Sequence, residues 1–209
     1  MAGTIPDPPK TVDDVLSGSC ALLLWDLQNG LAGQSPRLGE LSPVWRTLRD
    51  AALEAGVPVL RSRHLAPPAG MMDPVERWRV SRRTHGENRP DHYMHDDGQD
   101  AAWISGFEPL PGETVIEKGA PSLFHNTRAD FFLRGAGVQT LIMAGVATEI
   151  GIDFTARHAM ACGYFPVVVE DAVASFTPAL HEAGMAILRT FTFVTDSEHL
   201  VDTWRARGR

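Results

Sequence analysis

The sequence predicts an α/β fold, a three-layer sandwich in which a central, mostly parallel six-stranded sheet lies between two layers of helices. Short apolar runs of strand length, such as Cys20-Ala21-Leu22-Leu23-Leu24-Trp25, recur along the chain, as expected for strands covered on both faces. Stretches with apolar residues at helical spacing separate them. Strands alternating with helices imply parallel pairing through right-handed crossovers. The 209 residues fit one domain, and a domain of that length buries roughly 70% of the surface its unfolded chain exposes, without a covalent staple.

Residues 1–18 read as a loose leader: Met1 to Lys10 carries Pro6, Pro8 and Pro9 and has no apolar core of signal-peptide length. The single domain is expected over 19–209. Its first strand, Cys20-Ala21-Leu22-Leu23-Leu24-Trp25, ends at Asp26. Val44, Trp45, Leu48 and Ala52 at helical spacing predict a helix over 41–55, closed by Gly56. Val57-Pro58-Val59-Leu60 is the next strand, with its proline at the start, where a missing donor is tolerated. Residues 65–111 then break the rhythm with Pro67, Pro68, Met71, Met72, His85, His92, His95, Asp96, Asp97 and Asp100, and at most one helix, over 74–83. A stretch this long between strands is usually functional, here a lid, an arm to a neighbouring subunit, or both. The alternation resumes with a strand over 114–117, a helix over 129–134 and a strand over 140–144. A helix over 150–161, a strand over 165–169, a helix over 178–189 and a last strand over 191–194 complete it.

The net charge of −7 argues against a nucleic-acid surface, because phosphate neutralisation needs clustered Lys and Arg. No run approaches the roughly 20 apolar residues of a membrane span. Cys20 and Cys162 read as two free thiols rather than a disulfide, and a reducing, cytoplasmic location is expected. Of 19 basic residues 17 are arginine, leaving Lys10 and Lys118, so a lysine inside a strand-like run stands out. The basic cluster over 77–89 is interrupted by Glu87 and preceded by Glu76. It reads as a solvated or subunit-facing helix surface, with a seat for an anionic substrate group as the alternative.

Active sites of open parallel sheets are built at the carboxyl ends of strands. Asp26 ends the first strand, Lys118 ends the third, and the loop from Gly145 to Gly151 follows the fourth. Singly, Asp26 could be a turn cap and Lys118 a surface lysine. Together, Asp26-Leu27-Gln28-Asn29, Glu117-Lys118 and Gly145-Val146-Ala147-Thr148 resemble, in order and spacing, the signatures of the isochorismatase-like hydrolase superfamily, over about residues 20 to 195. The resemblance implies the Rossmann-like fold of that family, hydrolase activity without a cofactor, and a homodimer or homotetramer. In cysteine-bearing relatives an Asp, a Lys and a Cys form the catalytic set, and the thiolate attacks a carbonyl. Here the cysteine position is Gly151.

By the same resemblance, backbone N–H groups of Ala147 and Gly151 would stabilise an oxyanion, with a cis peptide between Val146 and Ala147. Cys20, inside a strand, and Cys162, about three helical turns past position 151, cannot supply the missing thiol. True isochorismatases also lack the cysteine and use the Asp as general acid on a vinyl ether, which makes Asp26 and Lys118 the expected catalytic pair. To act as an acid Asp26 has to hold a proton when substrate binds, a state that burial favours and the Lys118 cation opposes. Those enzymes carry a glutamine near the position of His64, so the substrate is expected to be a different small, carboxylated molecule with an enol-ether, enamine or related C–O or C–N bond. Gln28, His64, Phe124 and His125 are expected around it, His64 serving either hydrogen bonding or packing. Trp25, Trp45, Trp78 and Trp103 read as core or subunit contacts, and Asp153 with Arg157 as a salt bridge. No metal is expected: His92 and His95 could in principle ligate zinc, but solvated loop histidines are commoner. The alternative function is a cysteine-hydrolase relative that has lost catalysis and serves as a binding or assembly protein.

Overall fold

Six residues without a charged side chain form Cys20–Trp25 (β1), every one of them buried. In the computed structural model, which describes residues 7–83 and 93–207, β1 sits in the middle of one sheet. Its partners are Val59–His64 (β2), Glu113–Lys118 (β3), Thr140–Val146 (β4), Phe165–Ala174 (β5) and Phe193–Thr195 (β6). The order is β3-β2-β1-β4-β5-β6 and every pairing is parallel. Strand addition therefore reverses direction between β1 and β4, the place where open sheets of this kind leave a crevice at their carboxyl ends.

Alternation along β1 divides the core. Cys20, Leu22 and Leu24 pack with Val12–Leu16 (α1), Leu38–Glu54 (α2) and Ser197–Arg207 (α7). Ala21, Leu23 and Trp25 face the other side, toward Ala129–Gly135 (α4), Asp153–Ala161 (α5) and Pro178–Leu188 (α6). This is the three-layer sandwich expected, with all six strands in place. Pro74–Arg83 (α3) lies in the long excursion between β2 and β3.

Boundaries differ where polar residues interrupt the apolar signal. β2 runs on through Arg61-Ser62-Arg63-His64 rather than stopping at Leu60, and β5 spans ten residues rather than five. α2 starts at Leu38, ahead of the expected 41, with Pro43 inside it. Part of the expected loose leader is helical: Thr11 and Asp14 form a reciprocal capping box at the start of α1, whose Val15 and Leu16 are buried. α7 was not anticipated; it buries Leu200, Val201 and Trp204. The stretch after 92 is anchored to the domain, since Met94, Ala101, Ile104 and Phe107 belong to the core. Tyr93 is buried too, whereas Trp78 is 62% exposed. No helix among the described residues is long and apolar enough to cross a membrane.

Candidate active site

Asp26 stands at the carboxyl end of β1 with φ of 53°, a left-handed conformation uncommon for a residue with a side chain and often found at functional sites. Two neighbouring strands hold it there. Ser62 Oγ, on β2, accepts from Asp26 N at 2.9 Å and donates to Oδ1 at 2.5 Å. Lys118 Nζ, at the end of β3, donates to Oδ2 at 2.8 Å. The pair is buried, with side-chain exposure of 1% for Lys118 and 8% for Asp26. Burial pushes the Lys118 ammonium below the usual lysine range, and the Asp26 carboxylate partly restores it. Lys118 Nζ also lies 4.1 Å from the centroid of the Trp25 ring, within cation–π range.

β4 brings the third component. Gly145, paired in register with Trp25, has φ of +126°, and a Cβ there would lie 2.2 Å from the Trp25 carbonyl oxygen, so only glycine fits. The Val146–Ala147 peptide is cis, as expected. A single π-helical turn, Thr148–Ile152, leads into α5 and places Gly151 against the Trp25 indole. Glu149 on this turn accepts from Ser175 Oγ at 2.8 Å through Oε1, and its buried Oε2 has no hydrogen-bond partner.

Asp26, Lys118, His64, Val146, Ala147 and Gly151 all line one cavity of about 540 Å³. His64 is buried, and burial first, then the Lys118 cation, holds its imidazole well below the usual range. It packs beside Tyr93, ring centroids 6.1 Å apart. Arg79, Arg82 and Arg83 of α3 line the same cavity, the placement that an anion seat requires. Arg83 stacks on Phe176 at 4.8 Å, and Arg79 donates to the Gly119 carbonyl at 3.3 Å.

Three residues expected at the substrate lie elsewhere. Gln28 is fully buried outside the cavity lining: its amide nitrogen donates to the carbonyls of His64 and Ala101, and its oxygen accepts from His64 N. With its polar atoms engaged by backbone it joins the ends of β1 and β2 to residues 101–103, helped by the Gln28–Trp103 bridge. Phe124 stacks on Tyr164 at 5.7 Å, and exposed His125 contacts Asn126. Ser62, Glu149, Tyr93 and the indole of Trp25 went unrecognised as site components. Trp103 is half-buried and stacked by Arg61 at 4.6 Å, while Asp153 and Arg157 form the expected salt bridge at 3.0 Å. Cys20 and Cys162 are both free thiols and neither lines the cavity. Among the described residues no three His, Cys, Asp or Glu side chains group as a metal site. His85 and His92 lie outside the described residues, and His95 Nε2 is buried without a partner.

Residues 20–199 match the isochorismatase domain family. The chain belongs to the isochorismatase family. Among curated members it is similar to ureidoacrylate amidohydrolase RutB of Acinetobacter baylyi, 34% identical over 110 residues, or 52% of this chain and 45% of that protein. The chain thus spans under half the length of that relative. A longer match, 27% identical and covering 87% of both chains, is to ureidoacrylate amidohydrolase RutB of Cronobacter sakazakii. Among solved isochorismatase-like structures, the cysteine hydrolase from Pseudomonas syringae pv. phaseolicola superposes with a TM-score of 0.79 at 19% identity, covering 98% of this chain and 100% of that one. By their names these relatives are hydrolases.

Proposed function

We propose that the chain hydrolyses a C–N or C–O bond in a small carboxylated molecule, with Asp26 and Lys118 moving protons and water, rather than a protein thiol, as the nucleophile. The observation that carries this reading is the buried Asp26–Lys118 pair opening onto a cavity in which position 151 is glycine. By family resemblance that is where a cysteine would stand. No cysteine is among the residues lining the cavity, and the resemblance to true isochorismatases, which do without the cysteine, supports the reading. Burying an ion pair costs desolvation energy, and this one, unlike the buried Arg61–Glu113 pair, opens onto a cavity, which favours an enzyme over a binding or assembly protein.

Cavity chemistry supports the substrate class. Arg82 and Arg83 supply positive charge for a carboxylate, Arg79 being paired with Glu76 at 2.8 Å, and Phe176 and Leu180 offer an apolar wall. Burial makes the Lys118 ammonium a readier proton donor than a free lysine, and the 2.8 Å contact leads that proton to Asp26. Asp26 hands it to an alkene carbon bearing the nitrogen or oxygen. Water adds to the resulting iminium or oxocarbenium carbon and returns a proton to the pair, and the carbinolamine or hemiketal collapses to carbonyl compound plus amine or alcohol. Backbone N–H groups of Ala147 and Gly151 are the donors for negative charge on oxygen. Resemblance to ureidoacrylate amidohydrolases, whose name describes hydrolysis of an amide bond, supports a C–N bond as the one broken, with water then adding to the carbonyl carbon.

The test is turnover of a panel containing a ureidoacrylate and an enolpyruvyl ether, followed by mass spectrometry. Hydrolysis is expected to survive iodoacetamide and to disappear in Asp26→Asn with the far-UV spectrum unchanged. Inactivation by alkylation traced to Cys20 or Cys162 would refute the reading.

A further inference from the structure

Position 151 is not an empty seat left by a missing thiol. A Cβ built on Gly151 would lie 2.0 Å from Trp25 Nε1, 2.3 Å from Cε2 and 2.7 Å from Cζ2. These distances are far inside van der Waals contact, and the atoms belong to a rigid bicyclic ring rather than to the end of a flexible chain. Trp25 also borders the cavity, but a ring shift large enough to admit a Cβ at 151 has to break the packing around it. Trp25 is 1% exposed, it packs in the cluster that contains Leu123, Met143 and Ile152, and its carbonyl is closed upon by Gly145. Its face carries the Lys118 ammonium, which among the described residues donates to Asp26 and is nearly removed from water.

We propose that Trp25 is a positioning residue that takes the nucleophile's place: its indole forbids a side chain at 151 and holds the Lys118 ammonium against Asp26. The proposal deepens the reading of a water-using hydrolase and rests on it for its functional meaning. Its two physical claims concern space and charge, and both are measurable without a substrate. A buried ammonium with a single carboxylate partner needs further stabilisation, and an aromatic face supplies it without offering a competing hydrogen-bond acceptor. Among the described residues Asp26 is thus the group to which the lysine can pass its proton.

The space claim is tested with Gly151→Cys, Trp25→Val and the double variant, by thermal unfolding and by iodoacetamide labelling mapped to the peptide containing residue 151. Gly151→Cys is expected to melt well below the parent and to leave residue 151 unlabelled in the folded protein. The double variant regains most of the loss, and its thiol, at a helix start, labels at least about tenfold faster than Cys162. A Gly151→Cys protein as stable as the parent, or a double variant no more stable than it, would overturn the claim. The charge claim is tested even if no cysteine variant folds. Lys10 and Lys118 are the chain's two lysines, so 15N-lysine labelling gives two side-chain signals to follow against pH. Trp25→Phe should keep the parent titration of Lys118, and Trp25→Leu, which fills space without a π face, should move its midpoint downward while Lys10 stays put. Identical Lys118 titrations in the two variants would remove the positioning role. Absence of hydrolysis on every substrate would count against the water-using reading alone and leave both measurements standing.

Discussion

His64 shows how one residue's surroundings translate into a pH response. Burial and the nearby Lys118 cation depress its folded pKa well below 6.5, so the folded state holds a neutral ring where the unfolded chain would already bind a proton. Stability from this residue is therefore complete above about pH 6.5 and is lost as pH falls through the folded value, at about 1.4 kcal/mol for each unit separating the two. Melting temperature should decline on acidification from pH 6.5 downward, and His64→Gln should flatten that decline; an unchanged slope in the variant would show that other groups set it. At this scale the sequence revealed the groups that chemistry requires, Asp26, Lys118 and the 145–151 loop, because each sits at a strand end. It concealed the groups that adjacency creates. Ser62 reaches Asp26 only because β2 lies between β1 and β3, and no local pattern says that Trp25 rather than a neighbour will cover Gly151. Gln28 illustrates a related limit: a buried amide satisfied by three backbone groups looks, in sequence, like one waiting for a ligand.

Strands β2 and β3 illustrate how an element's end can be invisible in hydropathy yet firm in structure. Arg61 extends β2 because its charge is met by Glu113 of β3 at 3.1 Å, both side chains 0% exposed, and because Trp103 covers its guanidinium. Glu113→Gln leaves a buried cation unpaired and should cost about 3–5 kcal/mol in urea unfolding. Arg63 and Glu117 pair at 3.3 Å between the same strands, but with Glu117 60% exposed, and Glu117→Gln should cost no more than about 1 kcal/mol. Equal losses would contradict the burial argument. β5 was read too short on the same grounds, since Glu170 is met by Arg189 and Asp171 by Ser197. Helix α3 carries the element-level prediction about binding. Arg82→Ala and Arg83→Ala should each raise KM for a carboxylated substrate about fivefold with kcat nearly unchanged, by less at high salt; a loss confined to kcat would place these arginines outside ground-state binding.

The whole molecule leaves large apolar side chains in water: Met71, Val75 and Trp78 around α3, and Phe131, Phe154 and Ile187 on the α4–α6 layer. We propose that another copy of the chain covers part of this surface, since extended apolar patches are uncommon on monomers. Sedimentation should find a closed, even-numbered oligomer, and Trp78→Glu should shift it toward monomer if the 65–111 segment forms the contact. A strict monomer at micromolar concentration would remove the proposal. The central place of β1 bears on synthesis as well. Its neighbour β4 begins at Thr140 and ends at Val146, 146 − 25 = 121 residues after β1 ends at Trp25, which at 5–20 residues per second is roughly 6 to 24 s of translation. Throughout that interval a wholly apolar strand has at least one unpaired edge on the nascent chain, so the yield of this protein should depend on how well the host's chaperones guard the ribosome exit.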